Sequence, residues 1–431
     1  MVIDNTSLQV GKKFYFFEYF YILLVSVRKG NNREQIFNSF KELKRQFNLG
    51  DSKYKKLTVD EETMTPRRQN NYEYTFQRVI VESSNYKLIV TNNNHISLTE
   101  RGEEALEIYN NKGKLLFNNF IFQFMEGKSW VIRKLISKCY ELNKPKNGLL
   151  IFPVYSPRKL GFEKSKMSRN YHILEYSQKL TMRLEDDLRK NLHKEIDLSG
   201  HRDTLLRILV SEKYITSTNN DYFDLSKYNA IVTKFRKYWI DFFLKKIYGF
   251  KYSFATFNVW VERGKQLGLI HTSDFYPGFD GRIVYPTSIM GNGISHRDFK
   301  VVMKYSDGES LYRHSPKWEI TDNDNQIGKT QESFVKALVD SYYDMRAIKR
   351  THFIRLADLR EKVCYKLKIA NYMFDEFLEK TYLMSFKNPN LLKIKISLEA
   401  DRLPHETNAI YMKREPVLVN GKYKNIIAIN Y

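Results

Sequence analysis

The stretch NNYEYTFQRVIVESSNYKLIVTNNNHISLTERGEEALEIY, Asn70 to Tyr109, changes its periodicity twice, and its reading decides the fold. Tyr72, Phe76, Val79 and Ile80 recur at helical spacing, which gathers them on one face and leaves Gln77 and Arg78 on the other. Tyr86-Lys-Leu-Ile-Val then reads as a strand, Asn92 to His95 as a polar reversal and Ile96-Ser-Leu as the returning strand. Thr99 stands immediately before Glu100 and a run holding Ala105 and Leu106, so its hydroxyl is expected to cap a second helix. The predicted order is helix, two-stranded hairpin, helix.

A looser echo runs from Ser253 to Tyr285. Phe254 to Leu267 has helical spacing, Leu269-Ile-His and Arg282-Ile-Val-Tyr alternate as strands, and Pro277-Gly-Phe-Asp-Gly281 turns between them. This order resembles the winged-helix DNA-binding superfamily. The first unit, through Ile96-Ser-Leu-Thr-Glu-Arg-Gly102, is also similar to the accessory winged helix of Mrr-type restriction enzymes. The resemblance implies a helix set into a DNA groove with a hairpin beside it, and it brings no catalytic core.

Outward from these units the chain divides into four expected parts. Residues 1–143 form an N-terminal helical domain with its winged helix, and 144–198 a basic linker and bridging helix. Residues 199–328 form a middle winged-helix module with an irregular connector, and 329–431 a C-terminal helix-turn-helix with a hairpin. In the first part, Phe14 to Val27 is too short for a membrane span and contains Glu18, so it reads as a buried helix. A second helix follows from Asn32 to Asn48, with Ile36, Phe37, Phe40 and Leu43 on one face. In the last part, helices over Ala357–Lys368 and Asn371–Met384 flank a turn at Ile369-Ala370, and Asn420-Gly421 marks a hairpin. The expected class is mainly α with small β-hairpins (α+β), built of tandem winged-helix or helix-turn-helix modules.

Among the 431 residues, 71 Lys and Arg face 49 Asp and Glu, a formal net charge of +22. A charge of this sign and size favours a polyanionic partner, because each phosphate contacted releases condensed counterions. Double-stranded DNA is the expected partner, with protein partners supplying any catalysis. Two distant cysteines, Cys139 and Cys364, read as buried thiols of a reducing cytosol. No signal peptide or membrane span is legible, so a cytoplasmic protein is expected.

The candidate DNA contacts follow from where cations and amides meet few acids. In the middle module these are Lys251 and Ser253 before the helix, Thr256, Asn258, Arg263 and Lys265 on it, and Arg282 on the wing. In the first module they are Arg67, Arg68, Gln77 and Arg78. Arg158 and Lys159 lie in the basic stretch from Lys144 to Asn170, and Lys234 and Lys237 on a helix from Lys227 to Lys246. The C-terminal module carries Asp375, Glu376 and Glu379 on its second helix, which would repel phosphate.

Catalytic signatures are sparse. Gly328-Lys329-Thr330 lacks the earlier glycine of a phosphate-binding loop, since Asn323 stands there. Asp280, Asp298 and Lys300 come nearest to a metal-dependent nuclease set, without a second convincing carboxylate. The histidines show no metal-ligand spacing, and no cofactor is expected. The expected function is a non-catalytic recognition or scaffold subunit of a DNA-processing complex, restriction-like or anti-phage. The alternatives are a protein-binding scaffold of winged helices and a metal-dependent nuclease.

Overall fold

In a computed structural model, the structure describes residues 16–30, 32–47, 66–92, 95–128, 135, 138–139, 148–151, 155, 157–162, 171–213, 216, 222–223, 238–251, 253–268, 270–273, 281–286, 324–367, 369–387, 392–400, 417–420 and 422–430. These are mainly helical, with small antiparallel strand pairs, an α+β chain. Contacts gather into two compact units. One holds residues 1–137, 255–273 and 285–431; the other holds 138–254 and 274–284.

The first unit begins with α1 (Glu18–Lys29), whose Tyr19, Phe20, Ile22, Leu23, Leu24 and Val27 are all buried. The run read as a buried first helix is therefore helical and buried from Glu18 on, Phe14 and Tyr15 lying outside the described residues. Helix α2 (Arg33–Gln46) packs on it through Phe40, whose ring lies 6.2 Å from Tyr19. Helix α3 (Pro66–Asn85) closes the trio, with Phe76 5.1 Å from Phe37 and 5.2 Å from Phe40. Ring pairs at such separations add to plain area burial.

After α3 the chain reverses through Lys87, in the left-handed region at φ 57°, and enters the hairpin. Strands β1 (Ile89–Asn92) and β2 (His95–Leu98) pair antiparallel, Ile89 opposite Leu98 and Asn92 opposite His95. Helix α4 (Glu100–Lys112) follows, capped by Thr99, which accepts from the Gly102 amide at 3.1 Å and donates to the Lys87 carbonyl at 2.7 Å. The hairpin therefore joins the end of α3 to the start of α4. The first turn of α4 lies so close to the chain before β1 that a Cβ on Gly102 would meet the Leu88 carbonyl oxygen at 2.2 Å. Helix α5 (Lys114–Lys128) completes this part.

The second unit contains β3 (Leu149–Ile151), a two-stranded pair of β4 (Tyr171–His172) with β5 (Tyr222–Phe223), and helices α6 (Ile173–Leu192) and α7 (Ser199–Ser211). Strand β3 pairs antiparallel with the start of β7 (Arg282–Pro286). Helix α6 is the one that the sequence reads as a bridging helix. It buries Ile173, Tyr176, Leu180, Leu184 and Leu188, and its charged residues occupy the remaining face.

The C-terminal part of the first unit comprises α9 (Asp324–Lys349), β8 (Ile354–Arg355), α10 (Leu356–Leu367) and α11 (Asn371–Lys387), followed by β9 (Lys395–Glu399), β10 (Val417–Val419), β11 (Lys422–Lys424) and β12 (Ile426–Asn430). The helix pair α10–α11 and the β10–β11 hairpin, with Asn420 at φ 49°, match the sequence reading. Strand β12 runs antiparallel between β8 and β9. Phe334, Leu338, Leu359, Val363, Phe374, Leu378, Ile396 and Ile427 form its core. The Gly328-Lys329-Thr330 triplet is inside α9, where a helical backbone leaves no phosphate-cradling loop.

Gly102→Ala should destabilise the protein by about 2 kcal/mol, the cost of forcing backbone apart in a packed site. Urea unfolding checks this, and an unchanged midpoint would contradict the close approach of α4 to the chain before β1.

Candidate nucleic-acid interface

The echo of the first motif folds into helix and strand, but the helix does not stand at a surface. Helix α8 (Phe254–Gln266) and strand β6 (Ile270–Ser273) are largely buried, Phe257, Val259, Trp260 and Val261 among them. Arg263, read from the sequence as an exposed DNA contact, has a side chain 1% exposed. Its Nη2 reaches both carboxylate oxygens of Glu82 on α3, at 3.0 and 3.3 Å, and its guanidinium lies 5.2 Å from the Trp260 ring. The expectation of an exposed recognition helix here is thereby corrected. Alternation of apolar and polar residues cannot distinguish a charge facing water from a charge facing a buried opposite charge.

The neighbouring candidates divide in the same way. Thr256 is buried and Asn258 half-buried. Lys265 is partly buried and donates to Glu262 at 3.2 Å. Lys251 and Ser253 are exposed, as expected. The helix start beside them is already served by an anion, because the Phe254 amide donates to Asp241 Oδ1 at 2.8 Å. A carboxylate in that position takes the place a phosphate would occupy. Arg282 is half-buried at the start of β7, opposite Ile151.

In the first motif Gln77 and Arg78 keep accessible side chains. Gln77 is exposed and Arg78 half-buried, its guanidinium 5.2 Å from the ring of Tyr74 one turn earlier. Arg67 and Arg68 fall in the first turn of α3. Val90, Thr91, Asn92 and His95 of the hairpin are exposed, and so is Val81 on α3. Arg158 and Lys159 lie in a short 3-10 turn, Pro157–Leu160, with Lys159 exposed. Lys234, Lys237, Asp280, Asp298 and Lys300 lie outside the described residues.

The acids of α11 are tied into the fold. Asp375 accepts from Arg360 at 3.2 and 3.3 Å, with the Arg360 side chain 6% exposed, and Glu379 accepts from the Asn420 amide of the β10–β11 turn. Among the described residues, no cluster of three or more His, Cys, Asp or Glu could hold a metal, and no helix is long and apolar enough to cross a membrane.

Three groups that organise this region carried no local signal. Burial pushes the Glu82 carboxyl above its ordinary range, and the Arg263 guanidinium opposes that shift. Tyr86, buried beside this pair, is raised by burial as well. His271 on β6 contacts Asn371, the first residue of α11, and its ring stacks 5.7 Å from Tyr285 at 6°. His271 Nδ1 lies 2.6 Å from the Thr272 amide nitrogen and 2.9 Å from the Thr272 carbonyl oxygen, while Nε2 meets Asn371 Oδ1. Burial, helped by the charges of Lys265 and Arg360, lowers the His271 pKa to about 3. No family model, curated protein or solved structure matches the chain.

Two outcomes follow. Arg263→Ala leaves the largely buried Glu82 with only the charge of Arg78 to oppose its burial and should cost about 3 kcal/mol, whereas Arg263→Met with Glu82→Met should recover most of it. Urea denaturation of the three variants tests the pair, and a mild single substitution would contradict it. For His271, the unfolded chain takes up a proton below its ordinary pKa of 6.5 while the folded chain resists uptake down to about 3. Its stabilising contribution is therefore complete above that upper value and is lost as pH falls, at about 1.4 kcal/mol per pH unit. His271→Gln should remove that slope between about pH 6 and 5 in stability profiles, above the range where most carboxylates titrate.

Proposed function

We propose that this chain is a non-catalytic DNA-binding subunit of the winged-helix class, with α3 as the groove-facing helix and the β1–β2 hairpin as its wing. The observation that carries the proposal is the accessible face of α3 and hairpin, presenting Gln77 and Arg78 where the comparable face of α8 is buried. Gln and Arg can each make paired hydrogen bonds to base edges, and the two arginines opening α3 add phosphate-binding charge. The excess of 71 basic over 49 acidic residues favours the same partner. Within a larger assembly the chain recognises DNA and scaffolds a partner that supplies the chemistry, in a restriction-like or anti-phage setting in a prokaryotic cytoplasm.

A second reading, a protein-binding scaffold, draws on the C-terminal part. Ile348 at 80%, Phe386 at 56% and Phe353 at 49% exposure place large apolar groups in water there. Such groups favour a protein partner when they lie together.

Duplex DNA should bind tightly at low salt and weaken steeply as salt rises. Gln77→Ala with Arg78→Ala should weaken binding about tenfold, while Asp375→Asn should leave it level. Fluorescence anisotropy across a salt series measures both. A flat salt response would favour the protein scaffold, and cutting of plasmid DNA with magnesium would favour a nuclease built on Asp280, Asp298 and Lys300.

A further inference from the structure

We propose that the cleft between α2 and α3 receives an unpaired nucleobase, so that the chain prefers duplex DNA interrupted by a gap to continuous duplex; this rests on the DNA-binding role above. The cleft is an open groove of about 650 Å³ lined by Phe37 and Tyr74, with the buried Phe76 ring at its base. That volume lies within the range of small-molecule sites. Tyr74 is 38% exposed, a large ring left in water on the accessible side of α3.

Each of the three rings has a cation beside it. Arg33 lies 5.9 Å from the Phe76 ring, Lys41 4.8 Å from Phe37 and Arg78 5.2 Å from Tyr74. Aromatic rings interleaved with cations are the means by which proteins hold single-stranded segments, the rings stacking bases and the cations following the backbone. The remaining lining distinguishes base from phosphate. Glu34 and Glu73 would repel a phosphate inside the cleft, yet their oxygens can accept from the exocyclic amino groups of a base. Gln77 adds a side chain that can both donate and accept. The ligand these walls fit is a neutral, flat heterocycle with N–H donors, attached to a polyanionic strand.

The test uses the full chain and two fluorescent oligonucleotides of one sequence, one continuous duplex and one with a gap of about three nucleotides in one strand. The gapped form should bind about tenfold tighter, as expected for one stacked base. Tyr74→Ala should abolish that preference and leave affinity for continuous duplex within about threefold, while Tyr74→Phe keeps it. Thermal melting confirms that each variant is folded. Tight binding to continuous duplex with no gain from the gap, or a gain that survives Tyr74→Ala, would overturn this inference and leave the DNA-binding role standing. Failure of both oligonucleotides to bind would overturn that role and this inference with it.

Discussion

The buried ion pair between Arg263 and Glu82 is the constraint on which the arrangement of the first unit depends. It joins residues 181 positions apart, one on α8 and one near the end of α3, with side chains 1% and 13% exposed. Charges withdrawn from water this far cost several kcal/mol each unless they meet, so either residue alone is a liability. Together they hold Arg263 of α8 against Glu82 of α3. Gln266 at the end of α8 adds a bond to the Phe17 amide at 3.1 Å, beside α1. The helix that sequence pattern offers as a DNA reader thus serves as the internal support of the one that remains accessible.

Strand β6 extends the same support to the C-terminal part through His271, Asn371 and the stack on Tyr285. A neutral histidine is suited to this position because its ring nitrogens accept from one neighbour and donate to another without the cost of a buried charge. Residues 255–273 therefore contact both ends of the chain within one compact unit.

The net charge of +22 is not a measure of surface available to DNA. Arg263 and Arg360 carry positive charge that the fold withdraws from water, their side chains 1% and 6% exposed. Lys44 is itself buried, its ammonium 4.0 Å from the Tyr72 ring. Basic residues that organise the fold and those that could meet phosphate look alike in composition, and only their partners separate them.

Local elements were legible because their causes are local. Helical spacing in Tyr72, Phe76, Val79 and Ile80, the Thr99 cap and the Asn420-Gly421 turn act over a few residues, so the chain alone determined α3, the hairpin after it, the start of α4 and the β10–β11 turn. The helical character of α8 was determined in the same way, but its side of exposure was not. Whether Arg263 faces water or Glu82, whether the start of α8 is open to phosphate or held by Asp241, and whether Asp375 repels DNA or binds Arg360 depend on residues distant in sequence. Those pairings lower the free energy only after packing has excluded water from them, and for that reason the tertiary structure alone decided them.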